Sequence, residues 1–307
     1  MKKIKKNILI IGGAGFIGKN ILGKINKNLY KVYILDKQSE IKKNLKFLNN
    51  CNIIRGDISK HITFSKIKIK FFKVFYLAAQ SSTFLCEKNK KDCFKSNFVG
   101  LTNFYIWAVK NKPSNIVFTS SMAVYGIKAN NVRENGIIKP ISIYAKSKVF
   151  GEDLLITLKQ LNINVKIFRL FNVYGPLQDM GNLDQGMLSI YLSQIIKNKM
   201  VIVKGSLKRY RDFIFIDDVV KVLIKNFKFN SEDIINVATG KKTTVKDLII
   251  LLFKNLNLKV KIKVVSSHIG DSFGTYANID KLKKINLKPK ISLKIGIKKT
   301  IKSLYNN

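Results

Sequence analysis

The fold class this sequence predicts is α/β: a doubly wound parallel sheet with a smaller C-terminal substrate-binding domain. Three observations predict it. Strand-like and helix-like segments alternate through the first half of the chain, the signature of a parallel sheet covered on both faces. The first strand runs into a glycine-rich turn, GGAGFIG (Gly12 to Gly18), that opens a helix. After Gly175 the alternation loosens into a helix, short strands and turns, as expected of a second domain at the open edge of a sheet.

In chain order, a buried strand over Asn7 to Ile11 precedes the turn, and a helix opens at about Phe16. Further strands are read at Lys31 to Asp36, Cys51 to Asp57, Lys73 to Ala79, Asn115 to Ser120 and Val165 to Asn172. A long helix is expected from about Lys91 to Lys110, because Phe94, Phe98, Leu101, Tyr105 and Ala108 recur at helical spacing. Beyond Gly175 come a helix over about Gln185 to Lys197, a capped helix beginning near Thr244, and a lysine-rich tail. The implied division is 1–174 for the sheet domain, with segments near 213–240 returning to it, and 175–307 for the rest.

The opening KKIKKNILII has the outline of an export signal. However, four glycines within the next seven residues would break a signal helix rather than extend it. The alternative accounts for them: Gly12, Gly15 and Gly18 stand where a pyrophosphate-binding βα turn tolerates no side chain, with Phe16 and Ile17 between them opening the helix. Asp36 ends the second strand 18 residues beyond Gly18, close to the spacing of about 20 at which a carboxylate bonds the adenosine ribose. A carboxylate there repels a 2′-phosphate, so the cofactor expected is NAD rather than NADP. The dinucleotide-binding sheet is thus of Rossmann type.

Composition excludes several classes. No apolar run reaches about 18 residues, so no membrane span is expected. Cys51, Cys86 and Cys93 form no CxxC pair, and their odd number argues against a disulfide framework; a reducing cytoplasm suits them. Two histidines far apart make no metal site. The net charge of +39 would ordinarily suggest nucleic acid. Yet only five of 57 basic residues are arginine and the lysines are dispersed, whereas nucleic-acid interfaces lean on arginine forks. No nucleic-acid partner is expected.

The chemistry resides in IYAKSK, where Tyr144 and Lys148 stand four apart on one helical face. A phenol of pKa about 10 is a poor base at neutrality unless a cation favours the phenolate. Lowering it by about three units takes roughly 4 kcal/mol, plausible for a close ammonium in a dry cleft. Ser121, in TSSMAVYG, lies at a strand end, where its hydroxyl could bond the same substrate oxygen.

Together with GDI (Gly56 to Ile58), LAA (Leu77 to Ala79), SSMAVYG, YAKSK, RLFNVYGP (Arg169 to Pro176) and RDFIFIDDV (Arg211 to Val219), the chain resembles an extended short-chain dehydrogenase/reductase of the NAD-dependent sugar-nucleotide epimerase/dehydratase family, nearly end to end. The resemblance implies that Asp57 and Ile58 meet the adenine, that Leu77, Ala78 and Ala79 line the dinucleotide cleft, and that Asn97 supports the active-site helix. Ser121, Tyr144 and Lys148 match the family's catalytic triad. Asn172 stands where the family holds the sugar nucleotide, and Arg211 where a guanidinium clamps its diphosphate. Asp217 and Asp218 begin a helix rather than touch substrate. A second diphosphate arginine is replaced by His268, and Thr275 takes the place of a tyrosine that closes the hexose pocket against N-acetyl groups.

The 4,6-dehydratases of the family carry Asp-Glu after the strand-end serine or threonine; here stand Met122 and Ala123, neither of which can move a proton. The resemblance therefore implies 4-epimerisation through a transient 4-keto sugar, with a UDP-hexose or its N-acetyl form as substrate and a homodimer built on the helices near Lys91 and Tyr144. A 4-ketosugar reductase remains the alternative within the family, although it normally uses NADPH. A nucleotide-sensing or nucleic-acid-binding protein on the same fold is the alternative outside it.

Overall fold

The computed structural model describes residues 4–184, 186–228, 233–259, 261–266 and 273–305. These divide into two compact units: 1–120, 143–168 and 223–235 form the first, and 121–142, 169–222 and 236–307 the second. No helix among the described residues is long and apolar enough to cross a membrane.

The first unit is built on a seven-stranded sheet: β1 (Lys6–Ile11), β2 (Tyr30–Asp36), β3 (Asn52–Arg55), β4 (Lys73–Tyr76), β5 (Asn115–Ser121), β6 (Asn164–Leu170) and β7 (Ile234–Val237). The order is β7-β6-β5-β4-β1-β2-β3, and β1 pairs in parallel with both β2 and β4. Strands reverse their direction of winding on either side of β1, and this switch point is where open α/β sheets bind ligands. The central strands are apolar along their whole length because both faces are covered: β4 is buried throughout, and Ile8 to Ile11 of β1 are buried. One face is filled by an aromatic cluster in which Phe104 lies against Phe64, Tyr76 and Trp107.

Helix α1 (Phe16–Leu22) follows β1, and the expected long helix runs continuously over Lys90 to Asn111, its hydrogen-bond ladder broken by a π-helical turn. Lys90–Phe94 leads into a π-helical turn, Lys95–Val99, and then α2 (Gly100–Asn111). Helix α3 (Ile143–Ile156) carries IYAKSK. The strand expected from Val165 to Asn172 likewise breaks at Phe171: Asn172–Tyr174 leaves β6 to pair with Phe213–Phe215. Cys86 and Cys93, expected as thiols, are joined in a disulfide. The odd count required only that one cysteine be left over, and that one is Cys51. The pairing is local, brought about by a turn at Asn89 between helices Thr83–Lys88 and Lys90–Phe94.

In the second unit, Gly274–Ala277 lies between Tyr210–Arg211 and Lys128–Val132. A buried polar network ties the unit together. The Arg169 guanidinium donates to the Tyr125 hydroxyl (2.9 Å) and the Glu134 carbonyl (2.8 Å), and Tyr125 donates to Asn236 (2.7 Å). The Glu134 carboxylate accepts from the Asn236 N–H (2.9 Å). This network satisfies the arginine and tyrosine of RLFNVYGP and SSMAVYG internally, as buried polar groups require. Helix Val245–Leu256 opens with the expected cap, a capping box between Thr244 and Asp247. Asp217 and Asp218 fall in the first turn of helix Ile216–Ile224, and the Asp218 carboxylate accepts from the N–H groups of Lys290 and Ile291.

Candidate active site

Two glycines of the turn stand where a side chain would clash with backbone. Gly12 has φ +82°, and a Cβ on it would stand 2.7 Å from the backbone nitrogen of Ala78. A Cβ on Gly18 would stand 2.5 Å from the Gly13 carbonyl, so any larger residue would lift α1 off the turn. Gly15 is exposed, and the first turn of α1 holds no acidic side chain, as a phosphate-facing helix start requires. Asp36 closes β2 with its carboxylate folded over this turn, accepting from the N–H of Ala14 (3.0 Å) and of Lys37 (2.9 Å). Burial raises its carboxyl above the ordinary aspartate value, against the two N–H donors.

Around the turn, Asp57 accepts from the N–H and hydroxyl of Ser59 (2.9 and 2.8 Å). Ile58 is buried, its carbonyl accepting from Asn103 (3.0 Å). Leu77, Ala78 and Ala79 follow β4 and are half-buried. The turn, Asp36, Asp57, Ile58 and Leu77 to Ala79 all belong to the first unit.

So does the Tyr144–Lys148 pair. Lys148 is 5% exposed, and its ammonium donates to the Thr119 carbonyl (2.9 Å), 5.0 Å from the Phe118 ring centre and 5.7 Å from that of Tyr144. Burial pushes its pKa down to about 8, and the charge of Glu152 acts in the opposite direction. Asn97 sits in the π-helical turn and is buried. Its side chain accepts from the Gln80 N–H (2.7 Å), donates to the Gln80 carbonyl (3.1 Å), and donates to the Ser147 hydroxyl (3.1 Å). One amide thereby joins the segment after LAA to the helix of IYAKSK. A π turn displaces one residue from the regular ladder, and Asn97 is on it.

The two serines that end β5 point to opposite faces, as strand residues do. Ser120 is buried and donates to Glu152 of α3. Ser121 is half-buried and caps the turn Met122–Tyr125, accepting from the Ala123 N–H (3.2 Å).

In the second unit, Arg211 and Thr275 are register partners on adjacent parallel strands. Arg211 is buried and donates to the carbonyls of Tyr210 (2.8 Å) and Phe273 (3.2 Å). Thr275 is 1% exposed, and its hydroxyl has no partner among the described residues. Asn172 donates to the Asp212 carbonyl (3.3 Å) and lies 3.3 Å from the Met122 sulfur. His268 lies outside the described residues.

The NAD dependent epimerase/dehydratase family matches residues 8–238. The chain belongs to this family. A relative from Methanocaldococcus jannaschii, provisionally named a UDP-glucose 4-epimerase, is 33% identical over 98% of this chain and 99% of its own. Among solved structures, the UDP-glucose 4-epimerase of Thermotoga maritima with UDP-glucose is 26% identical, with a TM-score of 0.88 over 98% of this chain and 99% of that one. The UDP-N-acetylglucosamine 4-epimerase of Methanobrevibacter ruminantium, in complex with UDP-N-acetylmuramic acid, is 27% identical, with a TM-score of 0.89 over 99% of each.

For an NAD dependent epimerase/dehydratase the cofactor is NAD, and the residues fit it: the glycines at positions 12, 15 and 18 of the turn and the carboxylate of Asp36 are the cradle such a dinucleotide needs. Three residues of this family member escaped the motif reading. Gln80 and Ser147 are the partners through which Asn97 acts. Asp212, completely buried beside Arg211, accepts from Thr239 (N–H 2.8 Å, hydroxyl 2.6 Å) and the Gly240 N–H (2.8 Å), and burial raises its carboxyl despite these donors. An aspartate next to an arginine, between two short strands, was the available signal, and it has no spacing rule attached.

Proposed function

We propose that this chain is an NAD-dependent 4-epimerase of a UDP-hexose or UDP-N-acetylhexosamine. The observation that carries the reading is the Tyr144–Lys148 pair on α3, its ammonium held against the Thr119 carbonyl, in a chain whose strand-end serine is followed by Met122 and Ala123. A dehydratase would need acid/base groups where those two apolar side chains stand. The full-length likeness to two UDP-sugar 4-epimerases supports the same choice.

Tyr144 takes the proton of the sugar 4-hydroxyl and later returns it to the oxygen of the inverted centre, so its own protonation is unchanged over a turnover. Lys148 favours the phenolate during the first half of that cycle. The Ser121 hydroxyl bonds the same sugar oxygen. NAD, when bound, supplies oxidation and reduction at C4. Gly12, Gly15, Phe16, Ile17, Gly18, Asp36, Asp57, Ile58, Leu77, Ala78, Ala79 and Asn97 serve the cofactor, directly or by holding what touches it. Asn172 and Arg211 grip the nucleotide end, which must stay fixed while the sugar turns over, and His268 takes the second diphosphate position. Thr275 leaves room for an acetamido group.

A homodimer forms through the face where α3 meets the segment before α2. There Phe94, Phe98 and Phe150 make a run of rings 5.1 and 5.2 Å apart, beside an apolar groove of about 680 Å³. Leu158, just past the end of α3, lies in the core and not on that face. The cytoplasmic setting rests on the family alone, since the disulfide removes the argument from free thiols. Incubating the purified protein with UDP-glucose, UDP-galactose and their N-acetyl forms, and separating the products, tests the function. Epimer pairs are the expected products; a 4-keto-6-deoxy sugar would replace this reading with dehydration.

A further inference from the structure

We propose that Glu152 is a positioning residue for the Tyr144–Lys148 pair: its buried carboxylate, fixed by the Ser120 hydroxyl, holds Lys148 in the ammonium form. The inference deepens the epimerase reading and rests on it for its catalytic consequence. Tyr144, Lys148 and Glu152 follow one another at intervals of four on α3, which stacks them on one face with about 5 to 6 Å between Cβ atoms. Glu152 is 4% exposed, and Ser120 of β5 donates to it. A carboxylate in so dry a place is tolerated only with a hydrogen bond and a nearby opposite charge. Ser120 supplies the first, and Lys148, one turn back and equally buried, supplies the second.

The two charges need each other. Without Glu152, Lys148 would keep the Thr119 carbonyl and the Phe118 and Tyr144 rings, none of which carries a full negative charge. With it, burial still pushes the ammonium pKa down to about 8, so the margin above neutrality is small. An opposite charge within about 4 to 6 Å moves a pKa by about one to three units, so removing it lowers the Lys148 pKa further.

The other charged groups on the elements packed against α3 face water, apart from Lys159 just past its end, which is half-buried and paired with Asp233. Glu87 is exposed and accepts from the Ile143 N–H at the helix start (3.0 Å). Lys90, Lys91, Lys95 and Lys146 line the outer groove, and Asp92 is exposed and bonded to Asn89. Asp153 is exposed on α3, as is Lys110 on α2, and β5 carries no ionisable side chain. Cys86 and Cys93 are joined and do not titrate. Water screens those exposed charges, leaving Glu152 as the buried one that faces Lys148.

The sign follows. A lower Lys148 pKa means that the ammonium is lost at lower pH, so the basic limb of the kcat/KM profile moves towards acid. The test is the pH dependence of acetylation of Lys148 by acetic anhydride, followed by peptide mass spectrometry in wild type and in Glu152→Gln, with the kcat/KM profile measured beside it. The labelling midpoint should fall by at least about one unit, and the basic limb should fall with it. Glu152→Asp, which keeps the charge, should restore most of both. Ser120→Ala, which leaves the carboxylate but strips its donor, should move the midpoint the same way by less. An unmoved midpoint in either Glu152→Gln or Ser120→Ala overturns the proposal, whatever happens to the rate. A shifted midpoint in a protein that turns over no UDP-sugar would leave the electrostatic role standing and remove the epimerase reading instead.

Discussion

Lys148 carries its charge in a buried place, and that placement makes the neighbouring phenol useful. A lysine driven down to about 8 by burial sits near the pH at which acid/base groups exchange protons well. Tyr144→Phe keeps the ring against Lys148 and deletes only the acid/base oxygen. NAD should remain bound while kcat falls by about 10²-fold or more; retention of a tenth of wild-type kcat would take the role of base away from Tyr144. Thr275 is buried in a strand and paired in register with Arg211. In a folded Thr275→Tyr variant the ratio of kcat/KM for UDP-N-acetylglucosamine over UDP-glucose should drop by at least about tenfold, or 1.4 kcal/mol. The smaller sugar serves as the control, and an unchanged ratio would mean that the side chain does not gate the pocket.

Helix α3 meets Phe118 of β5 and Leu101 of α2 at a glycine, Gly151. A Cβ on Gly151 would stand 2.5 Å from the tip of Phe118 and 2.9 Å from Leu101. Gly151→Ala should therefore act as overpacking, costing about 1 to 3 kcal/mol of stability and disturbing the Lys148 bond to Thr119 one turn away. Chemical denaturation with a parallel activity assay reads both, and a variant as stable as wild type would show that the sheet yields at no cost. The glycine turn and Asp36 were legible in the sequence because each has one physical job that few residue types can do. IYAKSK was legible for the same reason. The π turn at Lys95–Val99 was not, since slipping one residue leaves the apolar spacing of Phe94, Phe98 and Leu101 looking helical. The Ser120–Glu152 bond was hidden differently: the period of four from Tyr144 to Glu152 is visible in the chain, but its partner comes from a strand 32 residues earlier. Parity concealed the Cys86–Cys93 pair.

At the scale of the whole molecule, the charge of +39 is spread over lysines on solvated faces, and the apolar surface is what stands out locally. Phe94 is 55% exposed, and it continues into the rings of Phe98 and Phe150, a patch of the kind that marks an interface. Light scattering at micromolar concentration should give twice the 35.0 kDa chain mass, and Phe94→Lys should reduce it; a monomeric wild type would remove the dimer. The central claim concerns what the molecule makes. Starting separately from UDP-glucose and from UDP-galactose, with no cofactor added beyond what the protein retains, the two sugars should be followed by their anomeric proton signals. The account predicts that both reactions converge on the same mixture of the two sugars with no net change in absorbance at the reduced-nicotinamide wavelength. Formation of any product other than the C4 epimer, or stoichiometric consumption of cofactor, would contradict it.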